Sequence, residues 1–164
     1  MRSSFHTVGK RALPVLLSAC LVGSAAAEID YTKPGIRRLK THYVAERDKQ
    51  ETTHFEELKT LAGGQLKHYE EMLTKQKRTG NITRMAVARG GIRIFEDCLE
   101  QLEKDKDFKL PERVRRELQR TTMDVARRKQ KLDADHALAL AVLRRTYYAR
   151  FLDLCREQGA DTSD

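Results

Sequence analysis

Apolar residues recur at alternating steps of four and three on both sides of Gly80 and Asn81. The two stripes consist of Leu58, Ala62, Gln65, Tyr69, Met72 and Gln76 before the corner, and of Met85, Ala88, Ile92, Phe95, Leu99 and Leu102 after it. Such spacing puts a narrow stripe on one face of a helix, which can pack against a second helix. Glycine suits the left-handed residue that ends a helix, and asparagine is a good N-cap. The pattern predicts an antiparallel helical hairpin with its corner at Gly80 and Asn81.

The periodicity extends to three long helices, predicted at about 36–79, 82–104 and 111–158. A polar connection follows the second helix, and Pro111 suits the first turn of the third. The apolar face of the third helix consists of Val114, Leu118, Thr121, Val125, Leu132, His136, Ala139, Leu143, Tyr147 and Leu154. The expected fold is all-α and coiled-coil-like: a long antiparallel hairpin plus a third long helix, forming one domain over 36–158. Residues 28–35 are expected to be an irregular leader, and 159–164 a polar tail.

Two glycine pairs interrupt the predicted helices, Gly63-Gly64 in the first and Gly90-Gly91 in the second. Each glycine costs a helix about 1 kcal/mol relative to alanine. A pair can be tolerated destabilisation, a bend or hinge, or a place where a neighbouring helix comes close. The sequence leaves these interpretations open.

The end of the first helix is echoed at the end of the third. Tyr69, Leu73 and Gly80 align with Tyr148, Leu152 and Gly159 when one segment is laid over the other. Duplication of a helical unit would produce this echo. Two amphipathic helices that both end in glycine would also resemble each other by chance, and the sequence does not decide between the two.

The first 27 residues have the features of an export signal. They contain no acid, three bases (Arg2, Lys10 and Arg11) and an apolar run over 12–23, and they end in small residues. We expect cleavage after Ala27. Leu17-Ser18-Ala19-Cys20 also resembles a bacterial lipobox, in which the cysteine would be lipidated and become the first mature residue. The two outcomes predict a soluble and an anchored protein, respectively.

The composition changes the picture in two ways. Charged residues make up 34% of the chain and aromatic residues 6%, with no tryptophan, which is typical of solvated helices sharing a thin core. The formal net charge is +8, and part of it belongs to the export signal. An exported, mildly basic protein is more compatible with anionic lipid, polysaccharide or acidic polypeptide than with nucleic acid.

Candidate chemistry is sparse. Glu51-x-x-His54 has the spacing found in carboxylate-bridged di-iron bundles, with Asp133-x-x-His136 as a partner motif and Glu100 as an extra carboxylate. Such a site needs four helices, and no fourth helix is evident. No glycine-rich phosphate loop or nucleophile elbow occurs. We therefore predict no catalytic, cofactor-binding or metal-binding residue.

Two cysteines would remain after processing, Cys98 and Cys155, in an oxidising compartment. If the third helix folds back against the second, Cys98 faces a residue near Leu118. Cys155 is then far beyond disulfide range in one straight monomer. A disulfide between copies of the chain is one candidate, and two free or buried thiols are the other.

A run of bases lies on the third helix, where it predicts a solvated face or, alternatively, an anionic docking surface. Its members are Arg113, Arg115, Arg116, Arg120, Arg127, Arg128, Lys129 and Lys131. Glu117 and Asp124 are interspersed among them and dilute the charge.

The corner sequence, Gly80-Asn81-Ile82-Thr83-Arg84-Met85-Ala86-Val87-Ala88, resembles the Gly-Asp-Leu-x-x-Ala-x-x-x turn between long charged helices in exported proteins of planctomycete and verrucomicrobial bacteria. The resemblance implies an exported helical hairpin and brings no biochemical function. The chain is also similar to Skp-type periplasmic chaperones in size, basicity, signal segment and helical arms. It lacks the strand-forming segment that follows the signal peptide in that family.

These observations together predict a non-enzymatic, exported protein, periplasmic or secreted, that acts as a structural or protein-interaction module in the cell envelope. The alternative is a Skp-like holdase chaperone for unfolded envelope proteins. Self-association is expected, other envelope proteins are possible partners, and nucleic acid is not. Contact with the membrane is expected only if Cys20 is lipidated.

Overall fold

The computed structural model describes residues 31–157, which form three α-helices: α1 (Pro34–Thr79), α2 (Ile82–Asp105) and α3 (Arg116–Glu157). No strand occurs in this part of the chain. The predicted all-α fold, with a long hairpin and a third long helix, is confirmed. The expected export signal, Cys20 within it and the tail over 159–164 lie outside the described residues.

The corner between α1 and α2 has the geometry that its two residues favour. Gly80 is left-handed, with φ 69° and ψ 15°. The Asn81 side-chain oxygen accepts a hydrogen bond from the backbone N–H of Arg84 at 3.0 Å, and Asn81 N–H donates to Gln76 O at 3.3 Å. Both helix ends therefore have backbone partners within a two-residue connection, which forces α2 to run antiparallel to α1.

The seam of α2 differs from the predicted one. Its buried residues are Ala88, Gly91, Phe95, Cys98 and Leu102, so Gly91 and Cys98 take the places predicted for Ile92 and Leu99. The cause is the Tyr69 ring, which stacks on Phe95 with centroids 5.9 Å apart. A Cβ on Gly91 would lie 2.5 Å from that ring. Only glycine leaves room for Tyr69 here, because the buried ring occupies the space that a side chain at position 91 would need.

The two glycine pairs have different surroundings. A Cβ on Gly90 would meet Leu118 at 3.1 Å, whereas nothing lies within 4 Å of the Cβ positions of Gly63 and Gly64. Helix α1 continues through the first pair. Gly90-Gly91 therefore marks a close approach of neighbouring elements, while Gly64 lines an open groove between α1 and α3.

The prediction that the third helix begins at Pro111 is wrong: residues 106–115 form a connection, and α3 begins at Arg116. Phe108 is buried in the core. The Gln101 side chain binds the backbone of Lys109, accepting from its N–H at 2.8 Å and donating to its carbonyl at 3.5 Å. The residue before a proline is also disfavoured in a helix. These contacts hold the connection extended.

The extended connection reverses the expected direction of the third helix. It returns toward the corner, so that Leu118 meets Gly90, and α3 then runs antiparallel to α1 and parallel to α2. The pairs His54–His136 and Tyr43–Tyr147 trace this antiparallel contact along α1. The expectation that α3 folds back on α2, with Leu118 near Cys98, is therefore wrong.

Two regions result, which we call the body and the arm. The body comprises 58–79 of α1, all of α2, the connection and 116–132 of α3. Its core consists of Leu58, Ala62, Tyr69, Phe95, Cys98, Leu102, Phe108, Leu118 and Val125. The arm comprises 34–57 of α1 and 133–157 of α3. Because α2 ends at Asp105, which lies near the level of Lys59, the arm has two helices only.

Candidate functional site

A polar cluster lies where the body meets the arm. Lys129 on α3 is at its centre, with its ammonium 2.8 Å from Asp107 of the connection and 2.7 Å from Asp133 one turn along. Asp133 also approaches His54 of α1, with Oδ1 3.2 Å from Nε2. The cluster thus joins α1, the connection and α3 through charge-assisted contacts.

Charge is stabilised in the centre of this cluster. Burial disfavours the Lys129 ammonium, but its hydrogen bonds with Asp107 and Asp133 outweigh burial and raise its pKa. Burial by itself would raise the pKa of the Asp107 carboxyl, but its partners lower it. The Lys129 ammonium and the Phe108 N–H, which donates to Oδ1 at 2.8 Å, lower the pKa of that carboxyl. The connection is therefore fastened to α3 by an ion pair that persists across neutral pH.

Charge is disfavoured at the edge of the cluster. The His54 and His136 rings stack face to face, with centroids 4.3 Å apart and planes 2° apart. Burial, and then the proximity of His136, lower the pKa of His54, although Asp133 acts in the opposite direction. With its proton on Nε2, His54 donates toward Asp133, and the buried Nδ1 has no hydrogen-bond partner among the described residues. The site therefore favours the neutral form of His54.

The structure brings together three of the residues considered for metal binding, His54, Asp133 and His136. The others face elsewhere: Glu51 approaches Arg47 at 3.5 Å, and Glu100 pairs with Lys104 at 2.6 Å. Within residues 31–157 no group of three or more His, Cys, Asp or Glu side chains has the arrangement of a metal site. The geometry at the junction is that of a structural ion-pair cluster.

The arm exposes an apolar face that the sequence reading missed in part. Among the described residues, seven large apolar side chains are exposed, and four of them lie on α3 in the arm: Leu138 (65% exposed), Val142 (57%), Tyr148 (59%) and Leu152 (41%). Leu138 and Val142 do not belong to the predicted apolar face of the third helix, which is the face that packs on α1. A second four-and-three spacing, offset from the first, was the signal available.

The inner face of the arm is aromatic. Tyr43 of α1 packs on Tyr147 with centroids 4.6 Å apart, and Phe151 stacks on Tyr147 and on Tyr31. Tyr147 in turn meets the exposed Tyr148 edge to face. The outer apolar face is therefore continuous with the packed interior of the arm.

The basic run on α3 is divided by the structure. Lys129 belongs to the junction cluster, whereas Arg113, Arg116, Arg127 and Lys131 are exposed, as are the other bases of the run. Glu117 and Asp124 are also exposed on this part of the helix. The run forms a solvated face and does not converge on one point where an anion could be held.

Cys98 and Cys155, the two cysteines within residues 31–157, are free and fully buried. Burial raises the pKa of Cys98 to about 11 and also raises that of Cys155. The reactive thiolate is thus disfavoured at both positions. A disulfide between copies remains a prediction, and it requires a buried sulfur to become accessible.

Comparison of the chain with protein-family models, with curated proteins and with solved structures finds no match. None of the three helices combines the length and the apolar character needed to cross a membrane.

Proposed function

We infer that this protein is exported and acts without catalysis, as a helical module that binds protein through its arm. The observation that carries this proposal is the exposed apolar face on α3, from Leu138 to Leu152. Apolar faces of this extent on a monomer are often interaction sites. Helical spacing of the exposed side chains favours a helical partner.

The body supports this proposal by anchoring the arm. Its packed core, the ion pair of Lys129 with Asp107 and the contact of His54 with Asp133 fix the directions of both arm helices. A rigid pair of helices presents its outer face in one orientation, which lowers the entropy cost of binding.

Site-specific photo-cross-linking in the cell envelope tests the proposal. A benzophenone amino acid replaces Leu138 in the arm, and in a matched control it replaces Ile82, which is 77% exposed at the corner. We expect protein cross-links from position 138 and few from position 82. Equal labelling at the two positions, or none at either, would contradict the proposed role of the arm.

The proposed export is tested separately by mass spectrometry of the mature N-terminus. A start at Glu28 indicates a processed protein without a lipid anchor, and a diacylated Cys20 indicates a lipoprotein. A chain that retains Met1 would refute export and leave the interaction surface to be judged by cross-linking alone.

A holdase chaperone is the second candidate, favoured by exposed arginines beside and within the apolar face, Arg144 and Arg145 respectively. A surface that combines apolar side chains with bases suits unfolded, acidic chains. A holdase suppresses aggregation of an unrelated denatured protein at near-stoichiometric ratio, and Leu138→Glu should weaken that effect. No suppression by the parent protein would remove this candidate.

A further inference from the structure

The exposed face of α3 contains a complete heptad seam. Its members follow one another at steps of four, three, four, three and four, and we call them the outer seam: Ala134, Leu138, Ala141, Arg145, Tyr148 and Leu152. All six are exposed. Val142 and Ala149 lie beside the seam on the same side of the helix and are exposed as well. A heptad seam is the pattern by which one helix packs along another.

The outer seam is confined to the arm, where α1 is the only helix within residues 31–157 that packs beside α3. Farther up, in the body, α3 packs beside α1, α2 and the connection, and the corresponding side chains there are polar, among them Arg127 and Lys131. The apolar character begins at Ala134, about where α2 has ended. The same face of α3 is exposed in both regions, polar in the body and apolar in the arm, which indicates that a partner covers it only in the arm.

The C-terminal part of the outer seam, from Ala141 to Leu152, is complementary to itself when two copies run antiparallel. In the register that sets Ala141 against Leu152, a small residue meets a large one, and Arg145 lies against Tyr148, where a guanidinium can stack on the ring. Because the pairing is two-fold symmetric, each of these contacts occurs twice.

Charges beside the seam agree with the same register. Asp135 and Arg156 flank the two ends of the seam on one side, and antiparallel pairing sets Asp135 of each copy near Arg156 of the other. Arg156 approaches Asp153 of its own helix at 3.7 Å, so it would be shared between two carboxylates. Between these two ends, the same register sets Val142 of one copy beside Ala149 of the other. The two Arg145 side chains lie in adjacent layers about the two-fold axis, where each can stack on the Tyr148 ring of the other copy.

We propose that the arm of one chain pairs with the arm of a second copy through the outer seam, antiparallel, with Ala141 opposite Leu152 and Asp135 opposite Arg156. The proposal rests on the inferred role of the arm as an interaction surface and names its partner. Two α3 helices then form the centre of a four-helix arrangement, with each α1 on the outside.

Sedimentation equilibrium of the processed full chain tests the pairing. We expect a reversible monomer–dimer equilibrium in the parent. Leu138→Glu combined with Leu152→Glu should raise the dimer dissociation constant by at least about 100-fold, because four carboxylates would enter the interface. Ile82→Glu is the matched control, and its dissociation constant should not change. Unaltered helicity by circular dichroism verifies that the variants fold, since all three side chains are exposed.

Cysteine cross-linking tests the register. Ala141→Cys with Leu152→Cys should form a disulfide-linked dimer under mild oxidation, whereas neither single variant should. Within one chain the two positions are about 16 Å apart along the helix, too far to join. Efficient cross-linking by the single variants would show parallel pairing and overturn the proposal.

The failure of this inference can be told apart from failure of the proposed function. A parent protein that stays monomeric at high concentration, while position 138 cross-links to a different envelope protein, overturns the second copy as partner and leaves the arm as an interaction surface. A monomer without cross-links at position 138 overturns both.

Discussion

Body and arm share the two long helices α1 and α3, yet the body buries large apolar side chains of a kind that the arm leaves exposed. The contrast is clearest for two tyrosines that align in the internal echo: Tyr69 in the body is 3% exposed, and Tyr148 in the arm is 59% exposed. Tyr69 is covered by α2, which offers Gly91 and Phe95. None of the three helices within residues 31–157 covers Tyr148. The difference shows that a local motif does not determine burial; a neighbouring helix does.

The largest expected effect comes from truncating these two tyrosines. Tyr69→Ala should lower the free energy of unfolding by about 3–5 kcal/mol, because it leaves a cavity in the core of the body. Tyr148→Ala should change it by less than about 0.5 kcal/mol at concentrations where the chain is monomeric. Urea unfolding followed by circular dichroism measures both. Similar losses for the two variants would mean that the body and the arm do not differ as described.

The glycines sharpen the same comparison. Gly91→Ala should cost about 1–3 kcal/mol, since the new Cβ would lie 2.5 Å from the Tyr69 ring. Gly64→Ala should instead stabilise the chain by up to about 1 kcal/mol, because its Cβ position is open and alanine favours the helix. Combining Gly91→Ala with Tyr69→Ala should remove the cost of the first change, and a persistent cost would place the clash elsewhere.

Acid should loosen the arm before the body. The pKa of His54 is lowered in the folded state by burial and by His136. The unfolded chain therefore binds protons first, and the stability that this pair contributes is complete above the ordinary histidine value of 6.5 and is lost as the pH falls below it. Asp133 and Glu57 oppose the effect, and Lys129 adds to it.

Hydrogen exchange at pH 7 and pH 5 measures this prediction. Protection in the arm should fall at pH 5 more than protection around Leu58 and Phe95, and His54→Gln should flatten the dependence. An arm whose protection is independent of pH in both proteins would contradict the role given to the histidine pair.

The smallest expected effect concerns the charges beside the outer seam. Asp135→Arg should weaken the dimer by a few-fold, because exposed ion pairs contribute about 0.2–1 kcal/mol each. Adding Arg156→Asp should restore the affinity if the two positions face each other. If the second change does not restore the affinity, but Leu138→Glu still disrupts the dimer, the outer seam forms the interface in a different register.

Much of the fold could be predicted from the sequence, but the start of the third helix could not. The corner at Gly80 and Asn81 was accessible because each residue acts locally, through a left-handed backbone and a side-chain cap. The start of α3 was not accessible, because Pro111 alone suits a helix start, whereas Gln101 and the burial of Phe108 favour the extended connection. Residues distant in sequence decided that segment.

The junction cluster illustrates the same limit. The motifs at Glu51-x-x-His54 and Asp133-x-x-His136 could be recognised, and their proximity follows only from the antiparallel contact of α1 with α3. In the folded chain Glu51 contacts Arg47 and does not reach the histidines, whereas Lys129 belongs to the cluster through Asp133. The sequence predicts that Lys129 is one of a run of surface bases, because nothing in its immediate sequence distinguishes it from its neighbours.

Local periodicity and caps are sufficient to specify three long helices, the corner that sets α2 antiparallel to α1, and the thin core that a charged chain with few aromatics can form. Tertiary contacts are needed to specify the direction of α3, the glycine at position 91 beneath Tyr69, and the exposure of the apolar face of α3 in the arm. These depend on which side chains meet across the chain, and a one-dimensional pattern does not specify those contacts.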